Sequence, residues 1–210
     1  MFITFEGIDG GGKTTQINLL VKYLKERLPK KEIIVTKEPG GTELGKRLRK
    51  EILHGDDIDS KTELFLYLAD RAEHVEKIIK PALDRDAIVI SDRFFDSTTA
   101  YQSAGRGFDL EQIHQLNLFA TGNLTPTITF LFDLTVEESQ KRIRQNRSDS
   151  DRLEQSGIDF FERVREKFLE LAKLEPNRFC KIDATAKIEN IQKIIIDKVE
   201  QNISYSIDNL

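Results

Sequence analysis

Short apolar and β-branched runs alternate along the chain with longer stretches in which apolar residues recur every three or four positions. Phe2-Ile3-Thr4-Phe5-Glu6 is the first strand candidate, closed by Gly7. Ile33 to Thr36, Ala87 to Ser91, Thr127 to Phe132 and a weaker Phe179 to Asp183 follow. Runs this continuous suit strands buried on both faces, as in a parallel sheet. Ile17, Leu20, Val21, Leu24 and Leu28 mark one apolar helix face. Further helices are expected over Leu64 to Leu83, Leu110 to Ala120, Val136 to Arg147, Phe160 to Leu174 and Ile188 to Ile203. The alternation predicts parallel crossovers and an α/β three-layer sandwich, with a parallel five-stranded sheet flanked by helices. No repeat, low-complexity tract or Pro/Gly-rich linker divides residues 1–210, so a single domain is expected. Folds of this kind bind ligands outside the carboxyl ends of the strands. That directs attention to the positions just after residues 6, 37, 91 and 132.

Composition narrows the partners. The net charge of −4 gives no overall basic field for a nucleic acid polymer. Apolar residues at 39% and charged residues at 32% fit a soluble globular chain, and no apolar run approaches the roughly 18 residues that span a bilayer. No basic segment precedes Met1-Phe2-Ile3-Thr4-Phe5, so no signal peptide is expected. A lone cysteine, Cys180, cannot close an internal disulfide, which fits a cytoplasmic location and a small buried apolar role for it.

Gly7-Ile8-Asp9-Gly10-Gly11-Gly12-Lys13-Thr14 matches G-x-x-x-x-G-K-[ST] in full, with a strand before it and an amphipathic helix after it. The glycines let successive backbone N–H groups turn inward onto phosphate oxygens. The helix starting near Lys13 adds the positive end of its dipole. Lys13 is expected to reach the β- and γ-phosphates of ATP, and the Thr14 hydroxyl, with Thr15 beside it, to face the nucleotide and its Mg²⁺. The sandwich is therefore of the P-loop NTPase class. The loop implies a bound nucleoside triphosphate but does not identify what receives the phosphoryl group.

The other strand ends bear on that question. Thr36-Lys37-Glu38-Pro39-Gly40-Gly41-Thr42 forces an irregular turn at a ligand-facing position, either a shaped site or a simple tight loop. Asp92 and Arg93 follow the third strand. A carboxylate there can hold Mg²⁺ through its water shell and a guanidinium can clamp a phosphate, unless the two form only a surface pair. Tyr67 and Arg71 share one helical face and could stack on a base and bond its edge, or could be a core-boundary tyrosine and an exposed arginine. The stretch from Lys141 to Arg152 contains Arg142, Arg144, Arg147 and Arg152, and reads either as a solvated helix end or as a mobile lid at about 141–153.

Taken together, these residues resemble the thymidylate kinase family over most of the chain. The resemblance runs through Phe5-Glu6-Gly7 and the loop, Lys37-Glu38-Pro39-Gly40-Gly41-Thr42, Asp70-Arg71-Ala72, Asp92-Arg93-Phe94, Ser97-Thr98, Ala100-Tyr101-Gln102 and Asp151-Arg152-Leu153-Glu154. It implies phosphorylation of dTMP to dTDP with ATP, a homodimer, and a bacterial type in which lid arginines assist. Gly7, Asp9, Gly10, Gly11, Gly12, Lys13, Thr14 and Thr15 would hold ATP, with Thr14 and Asp92 toward Mg²⁺. Asp9 would also meet the sugar 3′-hydroxyl, and Arg93 and Arg49 would grip the acceptor phosphate. Tyr67 would stack on the base, Arg71 and Gln102 would read its edge, and Tyr101 would disfavour ribonucleotides. Glu38, Ser97 and Thr98 would complete the acceptor site. Lys13, Arg93, Arg142, Arg147 and Arg152 would act on the transferring group, Arg147 first among the lid arginines. Two positions depart from the family's usual residues, Tyr67 in place of Phe and Lys37 in place of Arg, and the loop carries no arginine of its own.

Two other readings compete. A P-loop kinase of a neutral hydroxyl, such as a deoxynucleoside kinase, needs a carboxylate base, and Glu6 or Asp92 could serve. A nucleotide-controlled switch commonly reads guanine through Asn-Lys-x-Asp after a strand, and no such motif occurs after the fourth strand at Asp133.

Overall fold

The computed structural model describes residues 1–146 and 156–207, with residue 146 and residues 204–207 described by their backbone alone. Its strands are β1 (Phe2–Glu6), β2 (Ile33–Lys37), β3 (Ile88–Asp92), β4 (Ile128–Asp133) and β5 (Phe179–Asp183), hydrogen-bonded in the order β2-β3-β1-β4-β5. All pairings are parallel. Phe5 lies opposite Asp92 on one side and Phe130 on the other, and Lys37 also lies opposite Asp92. The register therefore brings the carboxyl ends of β1, β2 and β3 level, and β1 sits at the point where the strand order reverses. Ligands of open parallel sheets bind at such a point.

The helices are α1 (Lys13–Arg27), α2 (Glu43–His54), α3 (Ser60–His74), α4 (Lys80–Asp84), α5 (Phe95–Thr98), α6 (Leu110–Thr121), α7 (Val136–Asn146), α8 (Ile158–Leu174) and α9 (Ile188–Ile207). Leu20 and Leu24 of α1 and Ile191, Ile195 and Val199 of α9 pack with Phe5, Phe130 and Phe132 in one core. Phe160, Phe161, Val164 and Phe168 of α8 form a second core around Leu131 and Tyr101. Among the described residues, no helix is long and apolar enough to cross a membrane.

The expected five-stranded parallel sheet is present, with one difference in burial. Only β1, β3 and β4 are buried through most of their length, whereas β2 and β5 are partly exposed and Val35 is half accessible. A short apolar run looks the same in a central strand and at a sheet edge, so the pattern could not separate them.

The single helix expected over Leu64 to Leu83 is α3, a π-helical turn at Val75–Ile79 and α4 in continuous succession. It begins earlier than expected because Asp59 caps it, accepting from the Lys61 N–H at 2.9 Å. Two segments were not expected. One is α2, capped by Thr42, whose hydroxyl accepts from Gly45 N–H at 2.9 Å. The other is α5 with the π-helical turn at Thr99–Gly105 that follows it. Within the stretch expected as a lid, Lys141 to Asn146 belong to α7, and the remainder lies outside the described residues.

Candidate active site

The loop between β1 and α1 has the backbone its glycines foretold. Gly7 has φ 123°, and a Cβ there would lie 2.5 Å from the Phe132 carbonyl oxygen. Gly10, at φ 79°, is backed by α7 in the same way, with the Ser139 carbonyl oxygen 3.0 Å from where a Cβ would sit. The start of α1 at Lys13 aims its free N–H groups into the loop. The Lys13 ammonium is buried and donates to the carbonyls of Gly7 at 3.1 Å and Ile8 at 3.0 Å. Burial lowers its pKa and the nearby Arg93 charge adds to that, against Asp9, Asp92 and Glu6. Thr14 and Thr15 stand exposed on the first turn.

Beside the loop opens a cleft of roughly 670 Å³, its mouth included. Asp9, Glu38, Arg49, Tyr67, Arg71, Arg93, Ser97, Thr98, Tyr101 and Gln102 all line it, with Pro39, Leu53 and Phe94. Every residue that the resemblance put on the acceptor side thus meets in one place, contributed by the ends of β1, β2 and β3 and by α2, α3, α5 and the π-helical turn after α5.

Arg93 occupies the end nearest the loop. Its backbone is left-handed, at φ 72°, which is rare for a non-glycine residue. Three contacts hold it there. Its N–H donates to Phe5 O at 2.9 Å, Ser91 Oγ donates to its carbonyl at 2.7 Å, and the next N–H, of Phe94, donates to Glu6 Oε1 at 2.7 Å. Its guanidinium donates to Asp9 Oδ1 at 2.9 Å and to Ser97 Oγ at 3.1 Å, and lies 5.3 Å from the centre of the Tyr101 ring. Ser97 in turn donates to Glu6 Oε2 at 2.6 Å. Burial, with repulsion from Asp96, pushes the Glu6 carboxyl up to about 8 against the hydrogen bonds it accepts. Both Glu6 oxygens are thus occupied in shaping the Arg93 turn, so Glu6 is not placed as a base for a substrate hydroxyl.

The far end of the cleft is walled by a buried charge network. Arg71 is 1% exposed and makes four hydrogen bonds and a close ion pair within the protein. Its partners are Glu38 Oε2 at 2.9 and 2.8 Å, Thr98 Oγ1 at 2.8 Å, Asn117 Oδ1 at 2.9 Å and the Phe94 carbonyl at 3.1 Å. Glu38 Oε1 accepts from His74 Nδ1 at 2.8 Å, and His74 Nε2 lies 2.6 Å from the Thr36 hydroxyl. Burial would raise Glu38, but Arg71 and His74 outweigh it and hold its carboxyl below the usual range. The expected base-reading role of Arg71 thus meets an arginine at the cleft wall whose donors are engaged, and Thr98 and Gln102 stand next to it with hydrogen-bonding capacity left. Arg49 donates to Pro39 O at 2.9 Å, at the edge of the turn whose Gly40 N–H is held by Asp70 Oδ1 at 3.0 Å.

Thr14 and Asp92 line a second, open groove together with Thr36, Lys37 and Gly41. A hydroxyl and a carboxylate facing one groove beside the phosphate loop are hard oxygen donors of the kind Mg²⁺ takes. Arg142, expected to act on the transferring group, sits on α7. It donates to the Gly10 carbonyl at 3.2 Å and the Ala184 carbonyl at 3.0 Å, behind the loop. Arg144, on the same helix, lines a cavity with Asp9 and Phe161. Arg147 and Arg152 lie outside the described residues. Sequence reasoning missed Ser139, whose hydroxyl donates to Asp9 O at 2.7 Å, and Asn117 and His74, which complete the Arg71–Glu38 network. No motif flags any of these, since each is defined by a partner distant in the chain.

Asp70 makes the network testable by pH. Burial and the neighbouring Glu38 carboxylate raise its carboxyl to about 6 from 3.8, and its Oδ2 has no partner among the described residues. Between those values the folded chain keeps a proton that the unfolded chain has released. Raising the pH through that window therefore removes stability, by up to about 3 kcal/mol. Asp70→Asn retains an acceptor for Gly40 and cannot titrate. In urea melts from pH 4 to 7.5, wild-type stability minus variant stability is expected to fall across the window and level off near pH 7. A difference that does not vary with pH would contradict this.

Comparison with known proteins agrees with this geometry. The family model described as thymidylate kinase matches residues 5–195. A thymidylate kinase of Sulfurihydrogenibium sp. is 48% identical over 95% of this chain and 97% of its own length. One of Trichodesmium erythraeum is 47% identical over 92% of each. The crystal structure of a thymidylate kinase from Ehrlichia chaffeensis superposes with a TM-score of 0.78 at 39% identity, covering 95% of this chain and 98% of that one. With a phosphate loop, an adjoining acceptor cleft and relatives alike over nearly their full length, the chain belongs to the thymidylate kinase family.

Proposed function

We propose that the chain transfers the γ-phosphoryl group of ATP to the phosphate of dTMP, giving dTDP, with the triphosphate in the glycine loop and dTMP in the adjoining cleft. The observation that carries this reading is the cleft itself. Its end nearest the loop is joined to the loop by the Arg93–Asp9 pair, and its lining also offers a second guanidinium, Arg49, an aromatic side chain, Tyr67, and the polar groups of Thr98 and Gln102.

The acceptor is already an anion, so no strong general base is required. The barrier to be lowered is the repulsion between two polyanions, and preorganised charge lowers it. Lys13 would hold the β- and γ-phosphates after exchanging its bonds to the Gly7 and Ile8 carbonyls. Arg93 would hold the dTMP phosphate, aided by Arg49. Thr14 and Asp92 would hold Mg²⁺, which when bound neutralises charge between the β- and γ-phosphates. The loop has no arginine, so Arg147 and Arg152 are assigned the added positive charge, with Arg142 fixing α7 to the loop. Asp9, partly exposed and paired with Arg93, would meet the sugar. Tyr67 would stack on the base. Tyr101 packs against Arg93 and would lie under the sugar. Cys180 is half-buried, with a thiol pKa raised by burial, and suits a reducing cytoplasm without a redox role.

Supplied with ATP, the enzyme is expected to form diphosphate from dTMP and to leave thymidine unphosphorylated. A panel of nucleosides and nucleoside monophosphates scored for product decides this. Turnover of thymidine with dTMP ignored would favour the deoxynucleoside kinase reading.

A homodimer is proposed through the outer faces of α3 and α6, neighbouring helices that leave Phe65 59% and Phe119 89% exposed. Large exposed aromatics on adjacent helices suit an interface core. Sedimentation equilibrium is expected to give twice the chain mass at micromolar concentration, and Phe119→Lys to shift it toward the monomer. A wild-type monomer throughout would refute this.

A further inference from the structure

One ion pair at the far end of the cleft has no part in the reading above. Glu63, on α3, is fully buried. It receives Arg106 in a two-pronged pair, Nε to Oε1 at 3.1 Å and Nη2 to Oε2 at 2.9 Å. Glu63 Oε1 also accepts from Gln102 Nε2 at 3.2 Å. Gln102 is 1% exposed and lines the cleft.

The chemistry of that contact leaves one arrangement. A carboxylate only accepts hydrogen bonds, so it tolerates the NH₂ of an amide and repels its oxygen. Gln102 must therefore turn its nitrogen to Glu63, which leaves Oε1, without a hydrogen bond among the described residues, as the acceptor it presents, beside the second N–H of the same nitrogen. The Arg106 fork fixes the carboxylate that imposes this choice. Thr98 accepts from Arg71 with one lone pair and keeps its proton and its second lone pair. The base end of the cleft thus offers an oriented acceptor on Gln102 beside a Thr98 hydroxyl able to donate.

We propose that Glu63, held by Arg106, is a positioning residue that fixes the Gln102 amide as an acceptor and so selects a pyrimidine carrying N3–H over one with a bare N3. This rests on the dTMP-phosphorylating function proposed above. Thymine and uracil present N3–H beside the O4 acceptor. Cytosine presents a bare N3 acceptor beside an amino donor, the reverse pattern, and would set its N3 against the Gln102 oxygen. Mismatches of that kind are the strong form of discrimination.

Glu63→Gln tests the idea, because its amide can donate as well as accept and so frees Gln102 to flip. The readout is kcat/KM for dTMP, dUMP and dCMP with ATP. The dTMP-to-dCMP ratio is expected to fall about tenfold or more, while the dTMP-to-dUMP ratio stays within about twofold, since both bases carry N3–H. In a Gln102→Met background, adding Glu63→Gln is expected to change the dTMP-to-dCMP ratio no further. Arg106→Lys, which grips one carboxylate oxygen instead of two, is the milder variant should Glu63→Gln not fold, and is expected to give a smaller fall in the same ratio. A folded variant that lowers kcat/KM equally for all three substrates would reduce Glu63 to a structural role and overturn the proposal. Wild-type enzyme that phosphorylates dCMP as well as dTMP would instead overturn the functional reading on which it rests.

Discussion

Arg93 must face two ways at once. Its side chain lies between the phosphate loop and the acceptor cleft, while its backbone adopts a left-handed turn that a non-glycine residue resists, at a cost of about 1–3 kcal/mol. Glu6 is the group that makes both possible. One carboxylate oxygen takes the Phe94 N–H and pins the turn, and the other takes the Ser97 hydroxyl, leaving that oxygen to accept from Arg93. Because Glu6 ends β1 and Arg93 follows β3, the parallel register of those two strands sets where the guanidinium points. Asp9 completes the arrangement from inside the phosphate loop. Arg93 is thereby fixed relative to the phosphate loop by the sheet rather than by loop flexibility, which is what the proposed transfer between two polyanions requires.

A second layer of charge supports the first. Arg71, Glu38, His74 and Asn117 have no role toward phosphate in this account, yet they are buried and mutually satisfied. Such networks contribute little net stability compared with an apolar core, but they fail sharply when one partner is lost. Their value here is directional. Engaging Arg71 occupies one lone pair of Thr98, and the Arg106–Glu63 pair decides the orientation of Gln102. Polarity at the base end is therefore dictated from behind the wall of the cleft.

Much of this was legible in the sequence, and the parts that were not share a cause. The phosphate loop announced itself because every constraint on it is local, down to the glycines that must approach Phe132 and α7. The cleft-lining Glu38, Arg71 and Arg93 were recoverable because they lie in short contiguous motifs. The π-helical turn at Thr99–Gly105 was hidden because its period is not 3.6, and α2 because its amphipathic face lies in a stretch dense with charge. Val35 is half exposed because β2 is a sheet edge, a fact that belongs to topology and not to the run Ile33 to Thr36. The contacts of Arg142 with the Gly10 and Ala184 carbonyls come from the turn of α7 and from chain segments far from it in sequence. Ser139, Asn117, Glu63 and Arg106 act only through residues remote in the chain, so no window of sequence isolates them.

The central claim is that Arg93 serves the acceptor phosphate and not the triphosphate. Calorimetric titration of Arg93→Ala with dTMP, and separately with ATP, tests it most directly. The expected result is a dTMP affinity weaker by about 1.5–3 kcal/mol, the worth of a charge-assisted phosphate contact, with ATP affinity little changed. Loss of ATP binding with dTMP binding intact would contradict the account and exchange the two phosphate sites.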